Sequence, residues 1–340
     1  MSETLRVCVV TTSYPRFPGD MAGVFVAESV DHLRAAGVEV DVVSPADFRH
    51  FGIAYGDGII QNLKARPWLV ALLPLFFAGF ARAARRAATG ADVVHAHWIP
   101  SALAALATRK PVVLQVWGTD VAMVRRLPRL ARPLMRRPRL VVAASRFLAD
   151  SALALGAREV RVIPNGVEIP ADVGAAAEPP HVLFVGRLSE EKGIREFLDA
   201  TDGLPRVVVG DGPLRAEVPE TAGFVPHDML GDYYARAAVV CVPSRREGYG
   251  VVAREAMAYG RPVIATRVGG LTDAVIDGET GIVVDPEPSP PVLRAAVERL
   301  LGDPALRRRL GAAARRKAEQ ELAPSAAAAA LLAAYREAIG

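Results

Sequence analysis

The stretch "EGYGVVAREAMAYGRPVIATRVGG", residues 247–270, carries two glutamates eight positions apart, Glu247 and Glu255. On one continuous helix they would lie about 12 Å apart along the axis and about 80° apart around it, too far to share a substrate atom. Gly248 and Gly250 suggest instead that Glu247 sits on a loop and that a helix begins near Val251, with Glu255 in its second turn. The start of a helix presents unpaired N–H groups and partial positive charge, so an anion such as a diphosphate would dock there. The two carboxylates would then flank it.

The pattern around that stretch sets the fold class. Short β-branched runs, "LRVCVV", "VEVDVVS", "DVVHAH", "PVVLQV", "LVVAAS" and "VRVIPNG", alternate with Ala/Leu/Arg stretches of helical period, the first spanning residues 22–36. This is how a parallel sheet wrapped by helices reads. A Pro/Ala-rich segment, "PADVGAAAEPP", then reads as a linker. The pattern restarts with "HVLFVG", "PRVVVG", "AVVCVP" and "RPVIAT". The expectation is α/β throughout: a doubly wound domain over 1–167, a linker over 168–180, a second doubly wound domain over 181–322, and a C-terminal helix over 323–340 returning to the first domain. Two such domains are expected to hold a ligand in the cleft between them, at the carboxyl ends of the strands.

A chain of 340 residues that is 51% hydrophobic can bury a core in each domain. Cys8 and Cys241 both lie inside apolar strand-like runs, which fits buried thiols and a reducing compartment better than a disulfide. No secretory signal is read at the start, and the apolar run Trp68–Phe80, interrupted by Pro74, is shorter than the roughly 20 residues of a spanning helix. The charge is uneven. Residues 1–167 hold 21 Lys and Arg against 12 Asp and Glu, a net +9, and residues 168–340 hold 20 against 25, a net −5. Seven arginines fall between Arg125 and Arg139 with no acid among them, so this half either faces something anionic or carries a solvated arginine-rich face.

In the second domain "VGRLSEEKGI" follows a strand directly, which places Gly186, Arg187 and Lys192 on the loop and first turn after it. Two cations there would clamp a diphosphate. The plainer reading is a charged helix start paired with Glu190 and Glu191. What favours the clamp is that Glu247, the Gly-x-Gly turn and Glu255 come from a later strand end of the same sheet.

These residues carry a resemblance. "FVGRLSEEKGI", "VVVGDGPLR", the run from Gly223 through "EGYGVVAREAMAYGRPVIATRVGG" to Val284 and, earlier, "VIPNGVE" are similar to the family 4 retaining glycosyltransferases of the GT-B fold, over residues 5–320 or so. The resemblance implies that Arg187 and Lys192 bind the donor diphosphate and stabilise it as it leaves. It implies that Glu247 sits near the transferred sugar and that Glu255 hydrogen-bonds the ribose hydroxyls. The backbone around Gly250, Val251 and Val252 would meet phosphate and sugar, and Phe224 and Val225 would hold the base through main-chain groups. The donor would be a UDP- or GDP-sugar, with no further cofactor, no metal and no nucleic-acid partner.

The first domain matches through "SYPRFPGDMAGVFVAESVDHLRAAG", in which a glycine approaches the diphosphate or acceptor; Gly23 is the candidate, with Gly19 beside it. His95 and His97 share one face of a strand end, yet no third ligand for a metal lies nearby in the sequence. After "PVVLQV" many family members have a histidine that contacts the acceptor or sugar, and this chain has Trp117. Either His97 or Asp120 would supply the polar contact on the acceptor side, or none is needed. The resemblance implies front-face attack on the donor, with retention of configuration. A sugar-nucleotide epimerase and a non-catalytic sugar-nucleotide-binding protein are the rival readings. The apolar run Trp68–Phe80 beside Arg82, Arg85 and Arg86 suits a surface resting on anionic lipid, which points to a cytoplasmic enzyme peripheral at the inner membrane face with a lipid-linked or glycan acceptor. The competing account is a buried helix, solvated arginines and a soluble acceptor.

Overall fold

The computed structural model describes residues 4–17, 20, 22–56, 58–124 and 128–340. They form two compact units, one taking the chain up to Gly166 together with Pro324–Gly340, the other taking Val167–Ala323.

The first unit is a parallel sheet of β1 (Arg6–Thr11), β2 (Glu39–Val43), β3 (Val93–His97), β4 (Val112–Val116), β5 (Leu140–Ala143) and β6 (Val160–Val162), in the order β2-β1-β3-β4-β5-β6. Every residue of β3, β4 and β5 is buried, because helices cover both faces of the sheet. The helix Pro324–Ile339 belongs to this unit. Its Leu331, Ala334, Tyr335 and Ala338 join the core of Val7, Val9, Val113 and Val142, and Tyr335 Oη lies 2.8 Å from His95 Nδ1.

The second unit is a parallel sheet of β7 (Val182–Val185), β8 (Arg206–Val209), β9 (Val239–Val242), β10 (Val263–Thr266) and β11 (Gly281–Val284), in the order β11-β10-β9-β7-β8. Alternate residues feed two cores. Leu183, Val240 and Val263 pack with the helix Val251–Ala258 on one side, while Val182, Phe184, Val239 and Ile264 pack with the helices Ile194–Ala200 and Pro290–Gly302 on the other. Both units are thus doubly wound, and in each the strand order reverses beside the first strand, at β1/β3 and at β7/β9. The carboxyl ends of those pairs are where ligands bind in open α/β sheets. Cys8 and Cys241 are free and buried, and burial pushes the Cys8 thiol up to about 12.

Two segments depart from the sequence reading. Residues 168–180 are docked on the second unit: Arg315 donates to Pro170 O, Arg261 donates to Val173 O and Gly174 O, and Ala177 N donates to Arg236 O. The Pro/Ala composition of a linker gave no sign that two distant arginines would take its carbonyls. The helical run also extends beyond the apolar stretch Trp68–Phe80. A 3₁₀ segment Pro67–Leu72, the α-helix Leu73–Ala87 and a turn Ala88–Gly90 make a helical run of 24 residues, long and apolar enough to cross a membrane by length and composition alone. Pro74 does not break it, because it sits in the first turn, where a missing N–H costs no hydrogen bond. Phe76, Phe80 and Ala84 are buried in the unit, while Trp68 is 62% and Leu75 57% exposed.

Candidate functional site

Three loops of the second unit meet where its strand order reverses. After β7 the chain passes Gly186 and Arg187 and makes the turn Glu190–Lys192, closed by Gly193 in the left-handed conformation. A Cβ at Gly193 would lie 2.1 Å from Pro243 O, so only glycine lets this turn lie against the loop after β9. The loop after β10 is drawn in as closely: Gly270 N donates to Glu247 O at 3.0 Å, and a Cβ on Gly270 would lie 2.4 Å from Gly248 O. This packing brings Lys192 Nζ to 2.6 Å from Glu247 Oε2. Arg187, on the same loop as Lys192, is exposed and makes no side-chain hydrogen bond or ion pair among the described residues.

The helix Val251–Ala258 starts at Gly250, whose left-handed backbone (φ 82°) turns the chain out of the loop, and no side chain caps it. Its first N–H groups, at Val251 and Val252, therefore lack intrahelical acceptors. Arg254, buried in the first turn, donates to Tyr249 O and Gly270 O and covers the Tyr249 ring at 3.9 Å. Burial lowers its pKa, yet a guanidinium stays charged and pins the glycine loop from within. Glu255, the next residue, is buried with both oxygens engaged: Tyr234 Oη donates to Oε2 at 2.6 Å, and His227 Nε2 lies 2.7 Å from Oε1. Phe224 is exposed and Val225 half-buried, on a segment held along the end of β8 by Ala222 N to Val208 O (2.9 Å) and Gly210 N to Gly223 O (2.8 Å). Arg187, Lys192, Glu247, Gly250 and Glu255 thus gather on the β7 and β9 side of the sheet.

In the first unit Gly23 has φ 68°, and a Cβ there would lie 2.3 Å from Ser13 O; the helix Val24–Ala35 begins from it. Gly19 lies outside the described residues. Asp120, expected on the acceptor side, is engaged with the backbone. Its carboxylate is buried and accepts from four backbone N–H groups, Ile99 through Oδ2 and Trp117, Gly118 and Val121 through Oδ1. It ties the loops after β3 and β4 together. Burial raises its pKa while these four donors oppose the rise. His97 is also enclosed, with its ring stacked on Trp117 at 5.7 Å, and burial holds both His97 and His95 neutral, the latter down to about 3. Trp117, half-buried, packs 4.3 Å from Phe25. Among the described residues no group of three or more His, Cys, Asp or Glu is placed to hold a metal ion.

His227, Tyr234 and Arg254 were not singled out from the sequence. Tyr234 reads there as a core aromatic, and His227 as an ordinary polar residue of a turn. Their link to Glu255 spans 21 and 28 residues, and no local spacing encodes it.

Residues 22–169 match the family model described as Glycosyltransferase Family 4, and residues 167–317 match Glycosyl transferases group 1. A D-inositol 3-phosphate glycosyltransferase from Acidothermus cellulolyticus is 32% identical over 90% of this chain and 84% of its own. A glycogen synthase from Mycobacterium tuberculosis is 30% identical over 65% of this chain and 63% of its own. Among solved structures, a sucrose-phosphate synthase from Thermosynechococcus elongatus matches with a TM-score of 0.80 at 24% identity, covering 98% of both chains. HepE of Anabaena, in complex with UDP and glucose, matches with a TM-score of 0.71 at 18% identity, covering 98% of this chain and 99% of its own. The structural likenesses show the GT-B fold, with its two Rossmann-like domains. With a relative this similar over most of both lengths, and family models spanning both halves, the chain belongs to the family 4 glycosyltransferases.

Proposed function

We propose that the protein is a retaining hexosyltransferase that moves a hexose or N-acetylhexosamine from a UDP- or GDP-sugar to a hydroxyl acceptor without a metal ion. The observation that carries this is the Lys192–Glu247 pair, its lysine on the same loop as Arg187, which has no side-chain partner among the described residues, and its glutamate just before the uncapped start of the helix that bears Glu255. A departing diphosphate gathers negative charge, and two cations and a helix N-terminus stabilise it more as that charge develops. The acceptor oxygen attacks the anomeric carbon from the face the diphosphate leaves. The bond from that carbon to the phosphate oxygen breaks, the new bond to the acceptor oxygen forms, and the hydroxyl proton passes to the departing phosphate. A double displacement would need a carboxylate nucleophile on the opposite face. Glu247 is bound to Lys192 at 2.6 Å, which suits a group that orients the sugar better than a free nucleophile.

The same proposal sets the enzyme at the cytoplasmic face of an anionic membrane, with a lipid-linked or glycan acceptor. Its support is one exposed stripe along the helix Leu73–Ala87 and the turn before it, running from Ala71, Pro74, Leu75 and Ala78 to Arg82, Arg85 and Arg86. No Asp or Glu lies between residues 58 and 91. The test of the chemistry is a panel of UDP- and GDP-sugars, screened for thermal stabilisation and then for transfer in excess EDTA. Transfer that survives chelation and gives a product of the donor's anomeric configuration supports the proposal. Activity lost to EDTA and restored by one divalent ion, or an inverted product, sinks it; an altered donor sugar with no acceptor present would identify an epimerase.

A further inference from the structure

The carboxylate assigned to the ribose is already occupied, and its two partners differ in every respect that governs exchange. Tyr234 is 1% exposed, sits on the helix Leu230–Arg236 and is packed into the core of its unit. Its hydroxyl keeps its proton, because burial and then the charge of Glu255 push its pKa well above the ordinary value. The resulting O–H···O⁻ contact of 2.6 Å is short, charge-assisted and shielded from water. The His227 side chain is 48% exposed, on the turn His227–Met229, two residues after Val225 in the segment assigned to the base. Its contact with Oε1 faces competition from solvent.

We propose that Tyr234 is a positioning residue for nucleotide recognition, which fixes Oε2 of Glu255 so that Oε1 faces the nucleoside, and that His227 holds Oε1 only until a ribose hydroxyl displaces it. The inference rests on the assignment of Glu255 to the ribose and adds the residue that aims the carboxylate and the one that gives way. A carboxylate on a flexible side chain binds a diol well only if its direction is set beforehand, because otherwise ordering it subtracts from affinity. One oxygen tied into the core supplies that direction. The His227 contact acts oppositely: the binding-competent form is the fraction with Oε1 vacated, and the apparent affinity falls by that fraction.

The test is calorimetric titration of the whole chain with UDP and GDP, and with the 2′,3′-dideoxy counterpart of whichever binds. Glu255→Gln should weaken binding of the ribose form. Tyr234→Phe, which removes one oxygen and keeps the ring, should weaken it about tenfold and leave the dideoxy form bound as in the parent. In turnover it should raise donor KM far more than it lowers kcat. His227→Ala, at an exposed position, should tighten the ribose form about two- to fivefold, and it keeps the question open to experiment if Tyr234→Phe does not fold. If Glu255→Gln weakens binding while Tyr234→Phe does not, Tyr234 is only a packing residue. If Tyr234→Phe weakens the dideoxy form equally, its effect does not pass through the ribose. If His227→Ala weakens the ribose form, His227 is a ligand contact and not a placeholder. If Glu255→Gln has no effect, or neither nucleotide binds the parental protein, the ribose assignment fails and this inference falls with it.

Discussion

At 2.6 Å, Lys192 and Glu247 act as a unit. On the proposed mechanism Lys192→Ala removes a cation that stabilises the leaving diphosphate and strands the carboxylate, so kcat/KM should fall at least about 100-fold in a folded variant, and Arg187→Ala should do the same. Near-parental activity in either would put the donor elsewhere. Glu247→Ala should mainly lower kcat, whereas Glu255→Gln should mainly raise donor KM, because a ribose contact is made equally in ground and transition states. The opposite pattern would mean that the two ends of the donor are swapped. His95 supports a pH prediction. Buried among His97, Gln115 and Tyr335, it has a folded pKa of about 3 against 6.5 for the free side chain. Between those values the unfolded chain binds more protons, so this contribution is whole above pH 6.5 and is lost as pH falls, by up to about 1.4 kcal/mol per pH unit. Melting curves from pH 7 to pH 5 should show the loss, and His95→Gln should lessen it while His97, whose pKa burial also lowers, keeps its own share; an undiminished slope would assign the effect to other groups. Arg187, Lys192, Glu247 and Glu255 were legible in the sequence because each stands at a short offset from a strand end or a glycine turn. The burial of Asp120 was not legible, since its carboxylate is held by four backbone donors, one of them 21 residues away.

The site's elements meet only because glycine stands where backbones cross. Gly193→Ala would place a methyl group 2.1 Å from Pro243 O at φ 71°, so the turn after β7 must move off the loop after β9 and carry Lys192 away from Glu247. The strain should cost about 1–3 kcal/mol of stability, and kcat/KM should fall about tenfold or more as the pair separates. A variant with parental melting temperature and activity would show that the close approach is not needed. Strands and helices were plain in the sequence, because continuous valine runs and a helical period differ at a glance and strand pairing in a doubly wound sheet follows from it. Elements held by long-range polar contacts were not. The segment 168–180 has no period, and its docking depends on Arg261 and Arg315, each more than 80 residues further along. The helix Leu73–Ala87 was under-measured for a local reason, since Pro74 reads as an interruption but lies in a first turn.

Taken over the whole chain, the charge is divided: +9 over residues 1–167 and −5 over the rest. Part of the positive share lies on one exposed stripe whose other end is apolar, with Trp68 and Leu75 open to solvent and Arg82, Arg85 and Arg86 following along the same helix. A surface of this kind rests with its apolar end at the acyl boundary and its cations among anionic headgroups, each basic residue contributing about 1 kcal/mol. A spanning orientation would expose Phe76, Phe80 and Ala84, which are buried in the core of the first unit, and would carry three arginines into lipid. The protein should therefore sediment with anionic vesicles and not with neutral ones. Binding should fall steeply as salt rises, because exposed charges are screened within about 8 Å at physiological ionic strength. Leu75→Glu, on the exposed side, should abolish binding without lowering the melting temperature, and Arg82→Glu with Arg86→Glu should do the same through charge. Equal and negligible binding to neutral and anionic vesicles at low salt would leave the stripe as solvated surface and the acceptor as a soluble molecule.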